Sequence, residues 1–277
     1  MAARGDDWKQ WVDELPRVIA DLVGQWKLRP DGGISHGSTS AVQCVRLLDS
    51  TPAVLKVSFP AAANEHSHLA LRRWNGNGAV RLLSADPPRR ALLLERLRPV
   101  TLDTVPDVDA CAVVAQLYRR LHVPPMPQLP SLPVVLEQWA SELEALPRSA
   151  PTPHRLVEQA VALCRELAAE PASAVVHGNL HYGNVHVSER DSWLAISPKP
   201  INGDPHYELA PMLWHRFDEL AGSIREGVRH RFYTLVERAE LDEQRARAWV
   251  IVRATRASTA NPADATRFVT LAKAVQN

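Results

Sequence analysis

Trp8, Trp11, Val12, Leu15, Ile19, Leu22, Val23 and Trp26 recur at the three- and four-residue spacing that lines one face of a helix. Pro16 lies inside this stripe. It has no N–H to give and its ring crowds the preceding turn, so the pattern predicts one helix ending or kinking there and another beginning. From Gly32 the period changes. Short apolar runs at 41–48, 53–58, 79–83 and 91–97, bounded by turn residues, predict strands. Between the second and third, 61–74 carries Leu69, Leu71 and Trp74 among charged residues and closes on Asn75-Gly76-Asn77-Gly78, which predicts a helix and its stop.

Beyond Asp103 the pattern is mainly helical. Periodic segments at 105–122 and 134–146 are separated by the proline-rich stretch VPPMPQLPSLP, which continues neither, and a third covers 154–169. Three β-like pieces follow at 174–177, 185–187 and 193–196, with a loop rich in His, Gly and Asn between the first two. From Tyr207 the chain reads as helices broken near Gly222, Leu241 and Asn261-Pro262. The expectation is an α+β protein in two parts: 1–98, with leading helices, an antiparallel sheet and one inserted helix, and 99–277, mainly helical.

Composition narrows the function. The 277 residues hold 32 Lys plus Arg against 31 Asp plus Glu, so no basic excess advertises nucleic acid or an anionic membrane surface. No run approaches the roughly eighteen apolar residues of a membrane span, and the amino terminus has no signal-type apolar core. Cys44, Cys111 and Cys164 are odd in number and widely spaced, which suits a reducing compartment. These features predict a cytoplasmic protein and assign no protein partner.

The candidate chemistry lies in one order along the chain. His177-Gly178-Asn179-Leu180-His181-Tyr182-Gly183-Asn184 keeps the spacing of the kinase catalytic loop, H-R-D-x-x-x-x-N, with Asn179 where the Asp belongs. After a short apolar strand, Ser197 occupies the position of a metal-binding Asp. Upstream, Ala53-Val54-Leu55-Lys56 ends in a lysine of the V-A-I-K type, and the small-residue stretch 32–40, including Ser38, reads as a turn whose N–H groups can approach phosphate. Glu208, Asp218 and Glu219 form an acidic helix face, open to a cationic ligand or to solvent alone. His181, His186 and His206 have no regular ligand spacing.

With HGNLHYGNVHV, WLAISPKPINGDPHYELAPMLWHR, LALRRWNGNGAVRLL and ALLLERL, the chain resembles the aminoglycoside phosphotransferases, in particular the streptomycin 6-kinase and hydroxyurea phosphotransferase branch. The resemblance implies a bilobal protein-kinase-like fold, use of ATP and Mg²⁺, and transfer of a phosphoryl group to a hydroxyl of an aminoglycoside-like acceptor or another secondary metabolite. On it, Lys56 holds the nucleotide phosphates, the hinge follows Glu95, Asn184 binds magnesium, Asp204 braces the catalytic loop and His177 packs beneath it.

Three positions depart from that pattern. An amide at Asn179 accepts no proton at neutral pH, and a hydroxyl at Ser197 is a poor substitute for a carboxylate on Mg²⁺. The Glu expected to pair with Lys56 is replaced by Ser67, leaving Glu65 as the nearest carboxylate. The sequence therefore predicts an impaired pseudokinase that keeps its ligand cleft. Two alternatives stand beside it: an active small-molecule kinase using other carboxylates such as Asp204 or Glu65, and a cleft turned to non-phosphoryl chemistry or regulatory binding.

Overall fold

The computed structural model describes residues 5–37 and 39–276. Its contacts divide the chain into two compact units, Met1–Arg98 and Pro99–Asn277.

The first unit opens with α1 (Asp6–Gln25), which runs unbroken through Pro16, contrary to the expected interruption. Burial decides this. Leu15, Ile19 and Leu22 are each at most 6% exposed, and burying three such side chains contributes roughly 5–9 kcal/mol, against about 3 kcal/mol for an interior proline. They pack on Ala41, Val45, Ala53, Leu55, Val57, Ala91 and Leu93, the inward residues of an antiparallel sheet.

The sheet comprises β1 (Arg29–His36), β2 (Ser40–Arg46), β3 (Pro52–Ser58), β4 (Leu82–Asp86) and β5 (Ala91–Glu95), in the order β1-β2-β3-β5-β4. Strand β1 corrects the expectation of a turn over 32–40: residues 32–36 belong to the strand, with 34–36 paired to β2, and the chain bends at Thr39. A register shift between Pro30 and Ile34 bulges β1. The buried Gln43 amide donates to the Gly32 carbonyl at 2.8 Å and so satisfies the bulged backbone. Between β3 and β4, α2 (Ser67–Trp74) begins later than the pattern suggested, after a 3₁₀ turn at Ala62–Asn64, and ends on Asn75 in the left-handed conformation.

The second unit carries α3 (Asp107–Leu121), α4 (Leu132–Glu144) and α5 (His154–Ala168). Next come β6 (Ala174–Val176), β7 (Val185–Val187), β8 (Trp193–Ala195) and β9 (Ile201–Gly203). The chain closes with α6 (Leu209–Trp214), α7 (Ile224–Ala239), α8 (Glu243–Ala260) and α9 (Ala265–Gln276). β7 pairs with β8, and β6 with β9. Strand β9 escaped the sequence pattern because Ile-Asn-Gly has no alternation to read. Its Asn202 is buried, accepts from Met126 N at 2.9 Å and donates to the Met126 and Leu129 carbonyls at 2.7 and 3.2 Å, pinning the proline-rich link. Around α4 and α5, Leu132, Leu136, Val157 and Cys164 form a core with Trp249 and Val252 of α8.

Candidate active site

The loop 177–184 joins β6 to β7, and its shape is held from below. His177 is 0% exposed. Its Nε2 bonds the Ile196 carbonyl at 3.1 Å, while its Nδ1 accepts from the Asn179 backbone N–H at 3.2 Å. Nδ1 is therefore the bare nitrogen and Nε2 carries the proton, so the ring is a neutral strut. Gly178 has φ +74°, and a Cβ there would collide with the Lys199 carbonyl, which is why the loop takes glycine.

The fully buried Glu208 carboxylate accepts the backbone N–H groups of both His177 and Gly178, the second at 3.1 Å. Burial pushes its pKa up, but the His122 imidazole beside it and the donated backbone N–H outweigh it, holding the group ionised below its usual range. Glu208 is thus a brace for the loop, and its place on a solvent-facing acidic surface is withdrawn. Glu219 is engaged as well, accepting from Arg216 at 2.6 to 2.9 Å.

Asp204 was expected to brace the loop. Its bonds instead run to its own turn and to α8: Oδ1 accepts from His206 N at 2.9 Å and from His206 Nδ1 at 2.5 Å. Oδ2 accepts from Arg245 Nε at 2.5 Å and from Trp249 Nε1 at 2.6 Å. Because His206 Nε2 accepts from the Asp242 N–H at 3.0 Å, the imidazole proton sits on Nδ1. Burial opposes the Asp204 charge, yet the hydrogen bonds from His206 and Trp249 carry its pKa well below the usual carboxylate range.

At the catalytic position, Asn179 Nδ2 donates to the Ser197 carbonyl at 3.3 Å. A carboxylate cannot make this bond, so the amide is fitted to its surroundings. Asn184 is buried, and its Nδ2 donates to the Asn179 carbonyl and lies against His181 Nε2, both at 2.8 Å. Those bonds use the amide protons and leave Oδ1 as the atom with capacity for a cation. Ser197 has φ +56°, a conformation in which Asp and Asn are enriched and Ser is not.

These three residues test the fit of Mg²⁺. Asn179, Asn184 and Ser197 present neutral oxygens only, where Mg²⁺ calls for at least one carboxylate beside phosphate oxygens. Among the described residues no group of three or more His, Cys, Asp and Glu is arranged to hold a metal ion. The donor set does not fit the ion.

In the first unit, Lys56 lies within β3 rather than at its end, paired with Val42 and Leu92. Glu65 precedes α2 and pairs with Arg90 at 3.3 Å. Glu95 ends β5, where its Oε1 accepts from Arg81 N at 2.7 Å. Ser38 lies outside the described residues.

Sequence reasoning missed the layer beside the loop. His181 and His215 stack with ring centroids 3.5 Å apart and planes 6° apart. Arg253 lies over the Tyr207 ring at 3.9 Å and reaches the Gly178 carbonyl at 3.3 Å. The run Pro211-Met212-Leu213-Trp214-His215 carried only an apolar signal, and nothing in it pointed to a ring stack across the fold.

Compared with known proteins, residues 25–265 match the sequence profile of the aminoglycoside/hydroxyurea antibiotic resistance kinases. The chain is 40% identical over 258 residues to a streptomycin 6-kinase of Streptomyces griseus, spanning 90% of this chain and 83% of the relative. It is 39% identical over 254 residues to a hydroxyurea phosphotransferase of Kitasatospora aureofaciens, spanning 88% and 72%. Among solved structures, aminoglycoside phosphotransferase APH(4)-Ia superposes with a TM-score of 0.65 at 16% identity, covering 94% of this chain and 98% of that one. A choline kinase of Streptococcus pneumoniae gives 0.63 at 13% identity, covering 95% and 99%. At these identities the structural likeness carries the fold alone, and that fold is kinase-like, as the sequence resemblance implied.

Proposed function

Because the chain belongs to the aminoglycoside/hydroxyurea antibiotic resistance kinase family, we propose that it is a catalytically impaired member, a pseudokinase that keeps a small-molecule site on the family's framework. The observation that carries this reading is the neutral trio Asn179, Asn184 and Ser197 at the positions of base and metal. Phosphoryl transfer needs a group to accept the acceptor's hydroxyl proton and a cation to neutralise charge on the transferring phosphate. Asn179 supplies no base, and the trio supplies no anionic metal ligand. Lys56, in 1–98, still suits nucleotide phosphates, and the acceptor side belongs to 99–277.

An active kinase built on substitute carboxylates is the weaker alternative. Asp204 is bonded to three side chains of its surroundings and Glu65 is paired with Arg90, so neither is at liberty for a base or metal role. A site turned to regulatory binding needs no such carboxylate and is compatible with the proposal. No helix among the described residues is long and apolar enough to cross a membrane. The free thiols of Cys111 and Cys164 are buried, which pushes both up to about 12 and leaves them inert. A cytoplasmic location suits them.

Incubation with ATP, Mg²⁺ or Mn²⁺, and either streptomycin or hydroxyurea is expected to give turnover about two to four powers of ten below that of relatives bearing both carboxylates, the usual worth of a general base. Turnover within tenfold of those relatives contradicts the proposal.

A further inference from the structure

Around the catalytic loop the carboxylates are gone, but the cations are not. Lys199 follows the loop closely, donating its backbone N–H to the His177 carbonyl at 2.9 Å. Arg253, on α8, bonds the Gly178 and Tyr207 carbonyls and lies 5.1 Å from the Trp214 ring centroid. Arg267, on α9, donates to the Trp214 carbonyl and lies 4.9 Å from the Phe217 ring centroid. His215, next to Trp214, stacks on His181 of the loop. These five residues gather around the loop and the Trp214–His215 step within the second unit.

Among the described residues, none of Lys199, Arg253 and Arg267 is paired with a carboxylate. Such partners are what clustered, partly buried cations ordinarily have. The nearby acids do not make up the deficit. Glu208 is spent on backbone N–H groups and Asp204 on α8. Asp103, which favours a charge on His215, already accepts from Thr101 Oγ1 at 2.9 Å.

The imbalance registers at His215. Burial and Arg267 hold His215 to about 4 despite Asp103. Two buried donors of the same group, His181 Nδ1 and Arg267 Nε, have no acceptor. Donors exceed acceptors and positive charge lacks a partner, which is the complement of an anion and the opposite of what a polycationic amino-sugar requires.

We propose that the ligand taken beside the catalytic loop is a small anionic metabolite, bearing a phosphate or carboxylate group, that seats against Lys199, Arg253 and the His181–His215 pair. This rests on the reading that the site binds a small molecule, but not on whether the protein transfers phosphate. A nucleotide offers the same chemistry, and the two sources separate by which lysine matters.

Calorimetry with inorganic phosphate, glucose 6-phosphate, metal-free ATP and streptomycin tests it. Phosphate and glucose 6-phosphate are expected to bind saturably, with streptomycin at least tenfold weaker. Lys199→Met, whose solvent-exposed position favours normal folding, is expected to weaken phosphate tenfold or more and metal-free ATP less than threefold. The reverse pattern places the anion on the nucleotide side and overturns the proposal, as does streptomycin binding tighter than phosphate. In the unaltered protein, saturating phosphate is expected to raise the His215 titration point measured by NMR, and an unmoved ring overturns it independently. Robust phosphoryl transfer, by contrast, defeats only the impaired-kinase reading.

Discussion

Asn179→Asp combined with Ser197→Asp is expected to raise ATP-dependent phosphorylation by about two to four powers of ten over the unaltered chain. The two changes act on different needs. A carboxylate at 179 accepts the hydroxyl proton and orients the attacking oxygen; one at 197 gives Mg²⁺ the anionic ligand that Asn184 alone does not provide. Neither change is disruptive. At 197 the backbone already sits at φ +56°, which Asp tolerates better than Ser. At 179 the cost is the 3.3 Å bond to the Ser197 carbonyl, about 1 kcal/mol, and the carboxylate must turn away from that oxygen. Each single substitution is expected to recover far less than the pair. A double variant no more active than the parent means that the site has diverged beyond these two residues.

Asp204→Ala is expected to destabilise the protein by about 3–5 kcal/mol, read from chemical denaturation, because it strips the anion from Arg245 and leaves Trp249 Nε1 and the His206 ring without their acceptor. The value falls toward the lower end because Arg245 keeps a second partner, Glu170, at 2.9 Å. The pH dependence has a fixed sign. A carboxylate whose folded pKa is depressed contributes its full stability above its unfolded pKa of about 3.9, and that contribution drains away as pH falls toward the folded value. With the Asp204 folded value well below the usual range, the parent should lose this contribution progressively from about pH 5 downward. The Asp204→Ala variant should lack that part of the acid slope. Equal slopes in the two proteins would show that Asp204 is not the linked group.

Much of this arrangement was legible in the residues because local chemistry and tertiary packing agree there. The strands 53–58 and 91–97 and the helices after Asp103 declared themselves by period, and the spacing from His177 to Asn184 located the loop. Where the two levels conflict, the sequence misled. Pro16 argues locally for a break, but the buried stripe Leu15, Ile19 and Leu22 overrides it. Gly32 and Gly33 read as a turn, yet the bulge of β1 absorbs them into the sheet. Glu208 looks like any helix-surface acid, and its burial depends on backbone N–H groups thirty-odd residues away, which no periodicity encodes. Asp204 was singled out by a motif, and only the tertiary fold ties it to α8. The His181–His215 stack joins positions whose link is wholly tertiary.

The central claim is that side chains 179, 184 and 197 together offer magnesium no negative charge. Calorimetric titration of ATP with and without Mg²⁺, on the unaltered protein, tests it most directly. Affinities agreeing within about threefold, a difference near 0.65 kcal/mol, are the expected result. Tightening by tenfold or more when the ion is added contradicts the account.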